Sequence, residues 1–328
     1  MNIGVLDDTY DVVRGLKCFA RLSEQGHELS VWNDHCTDTD VLAERLARTE
    51  VLMLMRERTP VRAALLERLS ALKLITLNGV TPHIDLDTCT RQGVAVSTRG
   101  YVSTATAELT WALVLMSVRR IPLEMASLKA GRWQSAGMAS GLHGRTLGVW
   151  GFGQIGQQVA GFGRSFGMRV QVWSREAGLE KARAEGFETA SGKEMLFETS
   201  DVLSLHVRLA SETQGCVTAA DLARMKPDAL IVNSSRARLI EDGALVAALR
   251  AGRPGMAAID VFEHEPMLDP FHPLLQMDNV ICTPHLGYVE RQQYEGMYGD
   301  QIDRFFSYLQ GNPEFIVNPE VLQSKRSR

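Results

Sequence analysis

A glycine-rich turn near the middle of the chain constrains the fold more than any other feature of the sequence. In residues 147–176, LGVWGFGQIGQQVAGFGRSFGMRVQVWSRE, the pattern GxGxxG begins at Gly151. It follows an apolar stretch typical of a buried strand, opens an amphipathic stretch typical of a helix, and leads into a second apolar stretch, MRVQVW. This order of elements predicts a βαβ unit of a parallel sheet that binds a dinucleotide.

Each glycine of this turn has a predicted task. Gly151 permits the tight turn, Gly153 allows the backbone to approach a pyrophosphate, and Gly156 allows the helix to pack closely on the strand. The amides of Gln154 and Ile155 lie at the positive end of the predicted helix, where they would face the phosphates.

The end of the second strand of this unit predicts which dinucleotide is bound. A carboxylate here would bind the adenosine ribose hydroxyls, but the chain has Ser174 and Arg175. A hydroxyl and a guanidinium suit a 2′-phosphate, so we expect NADP. NAD stays open as an alternative, because Glu176 follows directly and could reach the ribose.

Length and composition restrict the class of protein. A chain of 328 residues predicts about two domains, and 45% hydrophobic with 23% charged residues is typical of a soluble globular protein. The net charge of −4 gives no reason to expect nucleic-acid or membrane binding. The 5 cysteines are scattered without a CxxC pair, so neither a disulfide framework nor a metal site is expected. The N-terminal stretch does not resemble a signal peptide, and we expect a cytoplasmic protein.

Two successive series of strands and helices explain why the glycine turn comes so late. Short apolar runs alternate with amphipathic stretches from NIGVL to GVAVS, and again from RTLGVW to NVICTPH. Between the series, residues 104–133 favour a long helix interrupted at Pro122. We therefore predict an α/β protein with two doubly wound parallel sheets, in which a Rossmann dinucleotide domain (residues 101–285) is inserted into a flavodoxin-like substrate domain (residues 1–100 and 286–328).

Polar residues that could carry chemistry follow three predicted strands of the second series. Arg236 follows ALIVNSS, Asp260 and Glu265 belong to DVFEHEP, and His285 follows NVICTP. Each alone has an ordinary structural explanation as a solvated charge or a satisfied polar group. Together, behind a dinucleotide motif, an Arg, a Glu and a His at strand ends are a credible set for reducing a carbonyl.

These segments resemble those of the D-isomer-specific 2-hydroxyacid dehydrogenase family, including its glyoxylate and hydroxypyruvate reductases. GFGQIG, NSSR, DVFEHEP and TPHLGY occur in the order and at the spacing of that family, and STATAELTWALVL is similar to the helix that leads into its nucleotide domain. The resemblance implies that Arg236, Glu265 and His285 are catalytic. It also implies a homodimer formed mainly through the dinucleotide domains.

The resemblance further implies binding roles for several residues. On the nicotinamide side of the cofactor these are Val207, Ser234, Ser235 and Asp260, with Asp260 accepting from the carboxamide. For the substrate they are the loop residues Asn78, Gly79 and Val80, whose amides would hold a carboxylate, together with Arg236 and His285. One departure is Ala237, because the family usually has glycine after the catalytic arginine, and alanine would be strained at a positive φ.

The expected reaction is hydride transfer to a small 2-oxo acid, giving a D-2-hydroxy acid. His285 would donate the proton, Glu265 would stabilise the protonated imidazole, and Arg236 would bind the carboxylate and polarise the carbonyl. Two alternatives stay open at this point. One is a cofactor-sensing scaffold like the corepressors of the family, and the other is a formate or phosphite dehydrogenase on the same fold.

Overall fold

A computed structural model describes residues 1–101 and 104–325. The chain forms two compact units, and it passes from one unit to the other after residue 102 and again after residue 290. The first unit is made from both ends of the chain, and the second from its continuous middle. Residues 102–103 and 326–328, which belong to the predicted domain ranges, lie outside the described residues.

Strands and helices alternate along both units. In chain order the strands are β1 (Asn2–Val5), β2 (Glu28–Val31), β3 (Val51–Met53), β4 (Leu74–Asn78), β5 (Ala95–Arg99), β6 (Thr146–Trp150), β7 (Arg169–Trp173), β8 (Glu188–Thr189), β9 (Val202–Leu205), β10 (Leu230–Asn233), β11 (Met256–Ile259) and β12 (Val280–Cys282). The α-helices are α1 (Lys17–Glu24), α2 (Thr39–Leu46), α3 (Ala63–Leu66), α4 (Leu86–Gln92), α5 (Ala105–Val118), α6 (Ile121–Lys129), α7 (Gln154–Ser165), α8 (Glu176–Ala184), α9 (Lys193–Thr199), α10 (Ala219–Arg224), α11 (Ala244–Arg250), α12 (Arg291–Leu309) and α13 (Glu320–Lys325). No helix among the described residues combines the length and the apolar character needed to cross a membrane.

The first unit is built on a parallel sheet of five strands in the order β2-β1-β3-β4-β5. Strands β1, β3, β4 and β5 are largely buried, as expected where helices cover both faces of a parallel sheet, whereas the edge strand β2 is partly exposed. Helix α12 supplies part of that cover and carries a buried cation. Arg304, only 3% exposed, donates to the carbonyl oxygen of Leu77 at 2.8 Å and to Ser97 Oγ at 2.9 Å, and pairs with Asp300 at 3.1 Å.

The second unit is built on a parallel sheet of seven strands in the order β12-β11-β10-β9-β6-β7-β8. With β6 counted as the first strand, this contains the doubly wound order 3-2-1-4-5-6, whose direction reverses between β6 and β9. The predicted α/β class with two parallel sheets is thereby confirmed.

Two local features of the second unit differ from the prediction. The short strand β8 was not predicted, since its two residues carry no apolar pattern. The long helix does break, but at Arg120, which has a φ of 53°, and Pro122 lies in the first turn of the following helix α6. Proline is tolerated there because the amides of the first turn have no intrahelical partner.

Candidate active site

The glycine turn after β6 has the tight geometry that its sequence predicts. Gly151 has a φ of 97°, and its amide donates to the carbonyl oxygen of Trp173 at 2.8 Å. A Cβ atom at this position would lie 2.5 Å from the carbonyl oxygen of His206, at the end of β9. Both the backbone conformation and the close approach of the neighbouring loop therefore require glycine at Gly151.

The start of α7 fits a pyrophosphate. Gly153 immediately precedes the helix, and a Cβ atom there would meet nothing within 4 Å, so the space in front of the helix is open. Gln154 and Ile155 are the first helical residues, and amides in the first turn of a helix have no intrahelical acceptor. A Cβ atom at Gly156 would lie 2.1 Å from the carbonyl oxygen of Gly151, so the helix packs directly on the turn.

The end of β7 presents a hydroxyl and a cation. Ser174 is half-buried, and its Oγ accepts from the amide of Phe152 at 3.4 Å. Arg175 is exposed and immediately precedes α8. The neighbouring carboxylate of Glu176 pairs with Arg183 at 2.9 Å, within its own helix. Glu176, the acid that could have bound a ribose, is therefore paired with Arg183 instead.

The residues assigned to the nicotinamide side lie at the ends of β9, β10 and β11. Ser235 donates its hydroxyl to the carbonyl oxygen of Val207 at 2.7 Å, which joins the loops after β9 and β10. Ser234 is buried, and its hydroxyl lies 2.7 Å from that of Thr110 in α5. All these groups share the carboxyl edge of the sheet, where ligands of open α/β sheets bind.

The loop that carries Arg236 is held by Asn233, a residue that the sequence analysis did not single out. Asn233 is 1% exposed; it accepts from the amide of Ser235 at 3.0 Å and donates to the carbonyl oxygen of Arg236 at 2.9 Å. The guanidinium of Arg236 donates to the carbonyl oxygen of Ser235 at 2.8 Å. Ala237 begins a 3-10 helix and does not have a positive φ, so alanine is unstrained after Arg236.

His285 and Glu265 form a direct pair. Nδ1 of His285 lies 2.5 Å from Oε2 of Glu265, and the side chains are 21% and 34% exposed. The other carboxylate oxygen accepts from the amide of Phe262 at 2.9 Å. Burial raises the pKa of Glu265, but other effects outweigh it and hold that pKa below its ordinary value. These are the hydrogen bond and charge of His285, the hydrogen bond from the Phe262 amide, and the charge of Arg236. Among the described residues none hydrogen-bonds to Nε2 of His285, which leaves this atom to a ligand.

Asp260 holds the segment that carries His285. Its carboxylate is fully buried; it accepts from the hydroxyl of Thr283 at 2.6 Å and from the amides of Leu286 and Gly287 at 2.7 and 2.9 Å. Burial raises the pKa of Asp260, against the lowering effect of these donors and of the charge of His285. Asp260 thus joins the end of β11 to both sides of His285. Thr283 was missed by the sequence analysis, since a threonine after a strand gives no specific signal.

The predicted substrate loop follows β4 in the first unit. Asn78 is 1% exposed, and its side chain donates to Asp300 at 2.7 Å and accepts from Gln301 at 3.0 Å. The amide of Gly79, whose φ is 123°, donates to the carbonyl oxygen of Arg99 at 3.0 Å.

Within the part of the chain that the structure describes, the amide of Val80 makes no backbone hydrogen bond, and its side chain is exposed. Of the three predicted residues, Val80 therefore has the amide best placed to meet an anion.

The comparisons with known proteins agree with this geometry. Residues 111–287 match the NAD binding domain of the D-isomer specific 2-hydroxyacid dehydrogenases. The chain is 33% identical over 316 residues to the glyoxylate reductase of Thermococcus litoralis, covering 93% of this chain and 94% of the relative.

Two solved structures are similar over nearly their whole length. An oxidoreductase from Ralstonia solanacearum, assigned as a D-3-phosphoglycerate dehydrogenase, has a TM-score of 0.94 and 50% identity and covers 98% of both chains. A phosphoglycerate oxidoreductase from Vibrio cholerae has a TM-score of 0.88 and 46% identity, with 95% of this chain and 99% of the other covered. The resemblance predicted from the motifs is confirmed, and the chain belongs to the D-isomer specific 2-hydroxyacid dehydrogenase family of NAD-binding enzymes, which act on CH–OH groups.

Proposed function

We propose that this enzyme reduces a small 2-oxo acid to the D-2-hydroxy acid, with NADPH preferred over NADH. The observation that carries the proposal is the pair of His285 and Glu265 at 2.5 Å, with Nε2 of the imidazole left to a ligand. The positive charge of Arg236 contributes to the lowered pKa of Glu265. This reduction needs a proton donor, a carboxylate that stabilises the protonated imidazole, and a cation that binds the substrate carboxylate.

The side chains divide the work of the reaction. Bound nicotinamide would supply the hydride. Nε2 of His285 donates a proton to the carbonyl oxygen as negative charge grows there, and accepts it in the oxidative direction. Glu265 stabilises the protonated imidazole and fixes its orientation through Nδ1. Arg236 binds the substrate carboxylate and polarises the carbonyl.

Two lines of support bear on substrate and cofactor. The similar proteins are named for glyoxylate and for phosphoglycerate chemistry, so we propose a substrate such as glyoxylate, hydroxypyruvate or a related small 2-oxo acid. Ser174 and Arg175 stand where a ribose-binding acid would be, and Glu176 is paired with Arg183. Both observations favour a 2′-phosphate over a free ribose.

Oxidation of NADPH and NADH with a panel of 2-oxo acids tests the proposal. Arg236→Ala should lower kcat/KM by about a hundredfold or more, because it removes a preorganised charge at the reacting carboxylate. NADPH binding, followed by its fluorescence, should be nearly unchanged. The exposed neighbour Arg238 provides the matched control as Arg238→Ala. Full turnover in the Arg236 variant would rule out its proposed role.

We also propose that the enzyme is a homodimer formed through the second unit. Ile121, Met125 and Leu128 are exposed on one face of helix α6, and Trp133 and Met138 are exposed in the segment after it. Exposed apolar surface of this kind marks a contact site. Sedimentation of the wild type and of a Leu128→Glu variant measures the state, with a dimer expected for the first and monomers for the second.

A further inference from the structure

Two arginines flank the glycine turn at the same level of the second sheet. Trp150 at the end of β6 pairs with Trp173 of β7 on one side and with Leu205 of β9 on the other. Arg175 follows Trp173 by two residues and Arg208 follows Leu205 by three. Neighbouring strands are about 4.8 Å apart, so the chain segments leading to the two arginines start about 10 Å from each other.

The loop after β9 is built against the glycine turn. A Cβ atom at Gly151 would lie 2.5 Å from the carbonyl oxygen of His206 and 3.2 Å from the amide nitrogen of Val207. Thr213 then closes the loop, since its hydroxyl donates to the carbonyl oxygen of Arg208 at 2.7 Å and accepts from the amide of Ala210 at 2.8 Å. The backbone of Arg208 is therefore held one residue beyond the contact with the phosphate-binding turn.

The side chains of Arg175 and Arg208 are both exposed. In the described ranges, neither Arg175 nor Arg208 has a side-chain hydrogen bond or an ion pair within 4 Å. The pKa of the exposed Glu212 is lowered by its own backbone amide and by the hydroxyl of Ser211, and in addition by the charges of Arg175 and Arg208. The charges of both arginines therefore act on the carboxylate of Glu212.

We propose that Arg208 acts with Arg175 as a second ligand of the 2′-phosphate of NADP. The crevice that receives a dinucleotide opens between β6 and β9, where the strand order reverses, and Arg208 stands on its far side from Arg175. A phosphate monoester carries close to two negative charges, and two guanidiniums can each bind it through paired N–H groups. This inference rests on the proposed preference for NADP.

Binding of two nucleotide fragments, measured by calorimetry, tests the role of Arg208 apart from turnover. Adenosine 2′,5′-bisphosphate carries the 2′-phosphate, and 5′-AMP lacks it. Arg208→Gln should weaken the bisphosphate about tenfold, the loss expected for one charged hydrogen bond, and change 5′-AMP binding less than twofold. Arg208→Lys should keep part of the preference. The loss should shrink in high salt, because both cations are exposed.

Arg250→Gln is the matched control. Arg250 is an exposed arginine in the last turn of α11, away from the carboxyl edge of the sheet, and its loss should change neither affinity. A wild type that prefers the bisphosphate, with the preference removed by Arg175→Gln but not by Arg208→Gln, would overturn the role of Arg208 and leave the NADP preference standing. A wild type that binds both fragments equally would overturn the NADP preference and this inference together.

Discussion

Replacing Gly156 with alanine tests whether close packing of α7 on the glycine turn is a structural requirement. A Cβ atom at Gly156 would lie 2.1 Å from the carbonyl oxygen of Gly151, whereas ordinary contacts are 3.4–4 Å. The acceptor belongs to the backbone, so the clash cannot be relieved by turning a side chain. The start of the helix has to move away from β6 by more than an ångström.

Gly161, in the same helix, gives a matched comparison. A Cβ atom at Gly161 would meet nothing within 4 Å. Alanine favours a helix over glycine by about 0.5–1 kcal/mol, and this gain is shared by both variants. The difference between Gly156→Ala and Gly161→Ala therefore isolates the steric clash, which should cost about 1–3 kcal/mol, as overpacking usually does.

Urea unfolding of the two variants measures that difference in free energy, and titration with NADPH measures its effect on the site. We expect Gly161→Ala to be slightly stabilised and to bind NADPH like the wild type. Gly156→Ala should be destabilised relative to it and bind about tenfold more weakly, because the amides at the start of the helix are displaced. Equal stability and equal affinity of the two variants would refute the packing argument.

Three further substitutions test other parts of the structure. Asp260→Asn should lower the free energy of unfolding by about 1–3 kcal/mol and slow turnover, because the NH2 group of asparagine would face N–H or O–H donors from which the carboxylate now accepts hydrogen bonds. Urea unfolding measures the first effect and steady-state kinetics the second. Asp201 is half-buried, which raises its pKa, but Lys226 at 2.8 Å and the amide of Thr146 lower that pKa below its ordinary value. The Asp201 carboxylate therefore stabilises the fold above about pH 3.9, and this contribution is lost as the pH falls through its lower pKa in the folded protein. Asp201→Asn should accordingly be less stable than the wild type at pH 7, and the difference in unfolding free energy should shrink in acid. Ala237→Gly should leave kcat unchanged and cost about 0.5–1 kcal/mol of stability, since Ala237 has no positive φ that glycine would relieve.

The elements of the fold could be predicted wherever burial imposes a pattern. Most strands of both sheets are buried, so they appear in the sequence as apolar runs between turns. Strand β8 escaped prediction because Glu188 and Thr189 pair with β7 at an exposed edge. The helix break was placed at Pro122, although the backbone turns at Arg120, and a positive φ at an arginine leaves no sequence signal.

The candidate site divides in the same way. The spacing of Gly151, Gly153 and Gly156 is dictated by local geometry and is readable from the chain. Hydrogen bonds between segments that are distant in the sequence cannot be predicted in this way. Nothing in the segment around Asn233 predicts that it closes the loop of Arg236, and the engagement of the Gly79 amide depends on how β4 registers with β5.

The position of α12 in the first unit has a consequence for the order in which the protein is made. Strands β1–β5 leave the ribosome first, but the helix that buries Arg304 against Leu77 and Ser97 follows only after residue 290. The second unit is continuous in sequence and can fold as soon as it has emerged. A chain truncated before Arg291 and released from the ribosome should therefore carry a protease-resistant second unit and a protease-sensitive first sheet, so the strands that are synthesised first belong to the unit that is completed last.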